Sequence, residues 1–197
     1  MSEHLSDDEK KMLLRLAREA LDLGVREQSL PPSKQTGLPP IDPASLTPAL
    51  RAETASFVTL TERGQLRGCI GALAPYQSLV DDVREHAIAA ALNDYRFPPV
   101  QPNELSKIKI EVSRLTVPQP LDYASPEDLL AKLHPGLDGV ILRDGPRRAT
   151  FLPQVWEQIP DKDDFLGQLC AKMSAPRDLW QRKHLEVLIY RVEEFHE

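Results

Sequence analysis

Apolar positions first recur at helical spacing near the N-terminus, where Leu13, Leu16, Ala17, Ala20 and Leu21 share one face of a 3.6-residue period. Ser6-Asp7-Asp8-Glu9 precedes them as a capping box, with Ser6 serving an open backbone N–H and Glu9 reaching back. The pattern predicts a helix from about Asp7 to Leu23, stopped at Gly24. Residues 25–50 then carry Pro31, Pro32, Pro39, Pro40, Pro43 and Pro48. Missing N–H groups at that density predict a long connector without helix or central strand.

The period next shortens to two. Ala55–Thr61, rich in Phe, Val and Thr, predicts a strand. Glu62-Arg63-Gly64-Gln65 predicts a turn in which Gly64 takes positive φ, and Leu66–Leu73 returns as the second strand of a hairpin. Ser78 caps a helix that runs to about Asn93 on the stripe Leu79, Val80, Val83, Ala87, Ala90 and Ala91, and Asp94-Tyr95-Arg96-Phe97-Pro98-Pro99 forms a rigid exit. Ile108, Ile110 and Val112 alternate with Lys107, Lys109 and Glu111 as a half-buried strand, whose apolar phase slips near Arg114 and Leu115; a bulge is expected there.

Ser125-Pro126 opens a helix that buries Leu129, Leu130 and Leu133. Gly139–Arg143 and Arg147–Leu152 make a second hairpin about Asp144-Gly145. A short helix follows from Pro153 through Trp156. Another begins at Asp161–Asp164, with Phe165, Leu166, Leu169 and Met173 on one face, and Val187–Phe195 closes the chain as a single alternating strand. Two hairpins exclude a purely parallel sheet. The expected class is α+β, with a mixed or mainly antiparallel sheet and flanking helices.

Composition narrows the function more than the fold. The chain has 197 residues, 41% of them hydrophobic and 27% charged, enough for one large domain, alone or with a small lobe, that needs no staples. A net charge of -6 argues against general nucleic-acid binding and against an anionic membrane surface. The polar N-terminus lacks a signal-peptide pattern and no apolar run reaches a membrane span, so the expected location is cytoplasmic. Two cysteines, Cys69 and Cys170, without a Cys-x-x-Cys pair, and five histidines without His-x-x-x-His spacing, give neither a disulfide framework nor a metal site. Phosphate-binding glycine loops and the serine elbow are also absent.

The candidate chemistry sits on the return strand. Simple alternation puts Leu66, Gly68 and Ile70 on one face and Arg67, Cys69 and Gly71 on the other. A guanidinium beside a thiol favours the nucleophilic thiolate. Glycines inside a strand mark places where a ligand or another backbone comes close. Arg67-Gly68-Cys69-Ile70-Gly71 therefore reads as a small anion-attracting site with a soft nucleophile. The plain alternative is that Cys69 is a small core hydrophobe and the glycines only permit tight packing. Cys170 falls on an apolar helix face and reads as core. Asp94 and Arg96 could clamp a polar ligand, or form a local ion pair; Glu111 and Ser113 could line the same cleft, or simply face solvent. Arg67, Arg147 and Arg148 could form a small basic patch serving nucleotide or RNA modification.

Leu66-Arg67-Gly68-Cys69-Ile70-Gly71 is identical to the signature of the AMMECR domain family, called AmmeMemoRadiSam system protein A in prokaryotes. Asp94–Phe97, Glu111-Val112-Ser113, Gly139-Val140, Phe151–Trp156, Phe165-Leu166 and Cys170-Ala171-Lys172 also resemble the family, over a span from about Leu13 to the C-terminus; Met173-Ser174-Ala175 departs from a glycine-containing turn. The resemblance implies a single α+β domain with a larger and a smaller lobe. It implies a signature that borders a cleft, and an association with Memo-like and radical SAM proteins; it names no reaction and no cofactor. On this basis the chain is expected to be a ligand-binding or enzymatic subunit in which Arg67 holds an anionic group, Cys69 acts as nucleophile or carrier, and Glu111 or Asp94 serves as acid or base. The rival expectation is a non-enzymatic adaptor that docks through the signature strand or the Pro-rich connector.

Overall fold

The computed structural model describes residues 4–30 and 34–197. The reading of the N-terminus at residues 1–3, and Pro31 and Pro32 of the connector, lie outside the described residues. The chain divides into two compact units: residues up to Leu115 together with Glu193–Glu197, and Thr116–Val192. Each carries a four-stranded antiparallel sheet, and with the helices this makes an α+β fold.

In the first unit, β1 (Ser56–Glu62), β2 (Gln65–Gly71), β3 (Ile108–Leu115) and β8 (Val192–His196) are arranged β2-β1-β3-β8, so β2 is an edge. Helices α1 (Asp7–Glu27) and α3 (Leu79–Leu92) cover one face of this sheet, and a four-residue α2 (Pro48–Arg51) packs against α3. The core between the layers contains Leu13, Leu21, Val58, Leu60, Val83, Ala87, Ile110 and Val112, all essentially sealed from water. The capping box at Ser6 forms as expected, with Glu9 N–H donating to Ser6 Oγ and Ser6 N–H to Glu9.

α1 runs four residues beyond its expected last residue, Leu23. Gly24 does not end it: a Cβ there would meet Ile88 of α3 at 3.0 Å, so the missing side chain serves helix packing, and Val25 beyond it is buried. The connector also differs from expectation. Pro43 and Pro48 each sit at the start of a short helical turn, where a missing N–H costs nothing, capped by Asp42 and Thr47.

The β1–β2 turn has positive φ at both central residues, Arg63 (54°) and Gly64 (77°), the mirror-image geometry that matches strand twist. β3 pairs with β1 in unbroken register from Ile108 to Arg114, so the expected bulge near Arg114 is absent. The phase slip has another origin: Ser113, on the face away from the helices, is also buried. A bulge occurs instead on the other side of β1, in β2.

In the second unit, β4 (Gln119–Pro120), β5 (Gly139–Asp144), β6 (Arg147–Phe151) and β7 (Glu186–Tyr190) are ordered β4-β7-β5-β6. Helices α4 (Pro126–Lys132), α5 (Lys162–Lys172) and α6 (Leu179–Arg182) enclose a core that holds Leu129, Leu142, Leu169 and Cys170, with Trp156 and Phe165 stacked at 3.5 Å. The expected single C-terminal strand is two. Tyr190 ends β7 in the second sheet and Val192 starts β8 in the first, with only Arg191 between. Among the described residues no helix is long and apolar enough to cross a membrane.

Candidate functional site

The position of Cys69 follows from the hairpin register. Leu60 pairs with Gly68 and Thr61 with Leu66, so Arg67 is passed over. This one-residue bulge reverses the alternation on its far side. Gly68 and Ile70 still face the helices, as expected. Leu66 does not: it lies opposite Thr61, on the open face, and is 43% exposed. Strand parity therefore does not place Arg67 beside Cys69.

The guanidinium of Arg67 is committed elsewhere. Its Nε and Nη2 donate to the two carboxylate oxygens of Glu104 at 2.9 and 3.2 Å, and Nη1 donates to the Pro98 carbonyl at 2.9 Å. This forked pairing is largely shielded from water and holds the Glu104 carboxyl below its usual range. Arg67 thus fastens the Pro98–Glu104 segment to the signature strand. Arg147, from the expected basic patch, is likewise paired with Asp144.

Cys69 is half-buried. Its backbone groups point outward from the sheet edge, because it forms a non-hydrogen-bonded pair with Thr59. An unpaired edge would invite another strand. Here the Asp94–Arg96 loop closes it: Cys69 N–H donates to Asp94 Oδ2 at 2.9 Å, and Arg96 Nη2 donates to the Cys69 carbonyl at 3.2 Å. Asp94 also accepts from Arg96 N–H at 3.1 Å, Nε at 2.9 Å and Nη2 at 2.7 Å. Those Arg96 bonds, with the Cys69 N–H, hold the Asp94 carboxyl well below the usual carboxylate range, and Asp94 raises Arg96 in return. Asp94 and Arg96 clamp the signature strand itself rather than standing open as a ligand fork. Arg96 remains 45% exposed.

The sulfur has its own partner. Thr59 Oγ1 donates to Cys69 Sγ at 3.2 Å, from the residue directly opposite. Thr59 was not singled out by sequence, although its alternation with the buried Val58 and Leu60 marks it as facing away from the helices.

Glu111 lies in the same row as Cys69, with Thr59 between them, and Ser113 lies in the next row with Phe57 and Gly71. β1 separates these residues from the signature strand by two strand spacings, about 10 Å. The sheet thus brings Cys69, Thr59 and Glu111 to one face, away from α1 and α3. Ile70 packs into the helix-side core. The two glycines leave no vacancy: the Ala90 carbonyl of α3 occupies the space beside Gly68, where a Cβ would meet it at 2.0 Å, and the Phe57 ring lies across Gly71. Cys170 is fully buried on α5, and burial pushes its thiol up. Among the described residues no group of three or more His, Cys, Asp or Glu is placed to hold a metal ion.

Comparison with known proteins supports the same frame. The AMMECR1 family model matches residues 14–195. A protein of Methanothermobacter thermautotrophicus is 40% identical over 98% of this chain and 96% of its own length. One from Methanopyrus kandleri is 35% identical over 100% of this chain and 92% of its own. A crystal structure of an uncharacterized protein from Pyrococcus horikoshii superposes with a TM-score of 0.77 and 33% identity, covering 98% of this chain and 93% of that one.

Proposed function

The chain belongs to the AMMECR1 family, and from that premise we propose that it is a thiol-bearing subunit acting with Memo-like and radical SAM proteins. Cys69 is its nucleophile or covalent carrier. The observation that carries this reading is the way Cys69 is held. Its N–H, its carbonyl and its sulfur each have a dedicated partner, in Asp94, Arg96 and Thr59, while the side chain stays partly open. A small hydrophobe used as filler needs none of these; a reactive group fixed before its substrate arrives needs all of them. Arg96, not Arg67, is the cation that attracts an anionic ligand, since Arg67 is consumed by Glu104. Glu111, in the same sheet row, is the proton acceptor or donor.

Allelic replacement tests this. A Cys69→Ser strain should match a deletion strain in any pathway phenotype, while a Cys170→Ser strain should match wild type. Wild-type behaviour of the Cys69→Ser strain, with a phenotype in the deletion, would falsify the role of the thiol.

A second reading has its own support. Leu66, Leu73, Tyr76 and Tyr95 are large apolar residues exposed by 43 to 95% on and around β2, a pattern suited to an adaptor surface. Under that reading, Tyr95→Ala weakens capture of Memo-like or radical SAM partners and Cys69→Ser does not.

A further inference from the structure

Asp82 and His86 stand one turn apart on α3, away from the Cys69 face of the sheet. The Asp82 carboxylate is fully buried. Its Oδ2 accepts from Ser56 N–H at 2.9 Å and Ser56 Oγ at 2.5 Å, and faces His86 Nδ1 at 3.1 Å. Its Oδ1 has no hydrogen-bond partner. The His86 ring is 5% exposed, and its other nitrogen, Nε2, lies 3.5 Å from the hydroxyl of Tyr76, whose ring meets it edge-on. Tyr76 is 52% exposed. Hydroxyl, imidazole and carboxylate thus stand in series, with the hydroxyl at the surface and the carboxylate sealed inside. A carboxylate against Nδ1 assigns the ring proton to that nitrogen and leaves the Nε2 lone pair toward Tyr76.

We propose that Tyr76, His86 and Asp82 form a nucleophilic centre that accepts an acyl group from an uncharged ester or thioester. The Tyr76 O–H bond breaks and its proton passes to His86 Nε2. The phenol oxygen forms the new bond to the acyl carbon, and the alcohol or thiol departs with the electron pair of its own bond and takes the proton from Nε2. Water then attacks the acyl-tyrosine by the same route. Tyr76 and His86 touch the reacting atoms; Asp82 is a positioning residue.

Local charge selects the substrate class. Asp82 and Glu85 surround the phenol, and Asp81 lies on the same turn of α3. The nearby cation, Arg84, is held by the Pro39 carbonyl at 2.6 Å and faces Asp81. A phosphoryl group would meet repulsion there; a neutral carbonyl would not. Burial, then Asp82 and Glu85, hold the Tyr76 phenol above its usual range, so it keeps its proton at neutral pH and its reactivity depends on the imidazole. The separation of 3.5 Å is long for proton transfer, as hydrogen bonds between reacting groups commonly are before substrate binds.

The test treats the full chain with p-nitrophenyl acetate near neutral pH and follows each acetylated tyrosine by peptide mass spectrometry. Tyr95, 95% exposed, is the internal reference; acetylation of Cys69 is scored on its own peptide. Tyr76 should be acetylated at least about tenfold faster than Tyr95 despite its lower exposure, and His86→Gln should remove that advantage while leaving Tyr95 unchanged. A Tyr76 rate no higher than that of Tyr95 in the wild-type chain overturns the proposal, as does an advantage that survives in folded His86→Gln. If His86→Gln does not fold, Tyr76→Phe decides: it removes only the hydroxyl of a half-exposed ring, and unchanged turnover of the ester in that variant also overturns the proposal.

Discussion

Replacing Gly68 by alanine is expected to destabilise the first unit by about 3 kcal/mol, at the upper end of overpacking costs. The added Cβ would lie 2.0 Å from the Ala90 carbonyl oxygen and 3.0 Å from its carbon. Both are backbone atoms of α3, so no rotamer change relieves the clash. α3 cannot retreat cheaply, because Val80, Val83, Ala87 and Ala91 are buried in the core it forms with the sheet. Gly64→Ala is the contrast: φ is +77° but nothing lies within 4 Å, so only backbone strain of about 1 kcal/mol applies. Far-ultraviolet circular dichroism in urea reports the first unit through α1 and α3, and tryptophan fluorescence reports the second through Trp156 and Trp180. A dichroism midpoint for Gly68→Ala no lower than that for Gly64→Ala would contradict the packing argument.

Asp94→Ala should cost a comparable amount, about 3 kcal/mol. It leaves Cys69 N–H without its acceptor and strips Arg96 of three bonds, in a site where the carboxylate is 3% exposed. The same interaction gives a pH signature. The folded-state Asp94 carboxyl titrates below its ordinary value of 3.8, chiefly through Arg96, and Glu104 below 4.5 through Arg67. A depressed carboxyl contributes fully above its unfolded value, and the contribution is lost as pH falls toward the folded one. The urea midpoint should therefore drop as pH is lowered through about 4.5 toward 3, and Asp94→Asn should flatten that drop. Parallel curves for the two proteins would show that Asp94 is not a source of the acid sensitivity.

Much of the fold was legible because local signals are strong where propensity and burial agree. Ser6, Ser78, Ser125 and Asp161 each cap the helix their spacing announced. Two kinds of feature were not legible. Gly24 carries a helix-stop signal, and only the tertiary approach of Ile88 explains why α1 continues. The site depended on a bulge with no signature in the residues. A two-residue turn with Glu62 opposite Gln65 would, in regular register, pair Thr59 with Gly68; skipping Arg67 moves Cys69 opposite Thr59 instead. Strand alternation therefore gave Cys69, Gly68 and Ile70 the sheet faces they take and misplaced Arg67 and Leu66. The carboxylate that captures Arg67 comes from Glu104, 37 residues away, and such a partner is set by tertiary packing alone.

The Asp94-Tyr95-Arg96 loop shows the same division. Its residue types suggested a fork for a ligand, and Pro98-Pro99 a rigid exit. That the fork grips the neighbouring strand follows from β2 lying at the sheet edge, where Cys69 presents a free N–H and carbonyl. Edge position is a property of strand order, which the order of elements along the chain leaves open.

The central claim is that this clamp presents the Cys69 sulfur to solvent in a reactive state. Iodoacetamide labelling of the native protein near neutral pH, resolved by peptide, measures it. Cys69 should be modified while Cys170, sealed in the α5 core, stays intact until the protein unfolds. Equal and slow modification of the two would contradict the account.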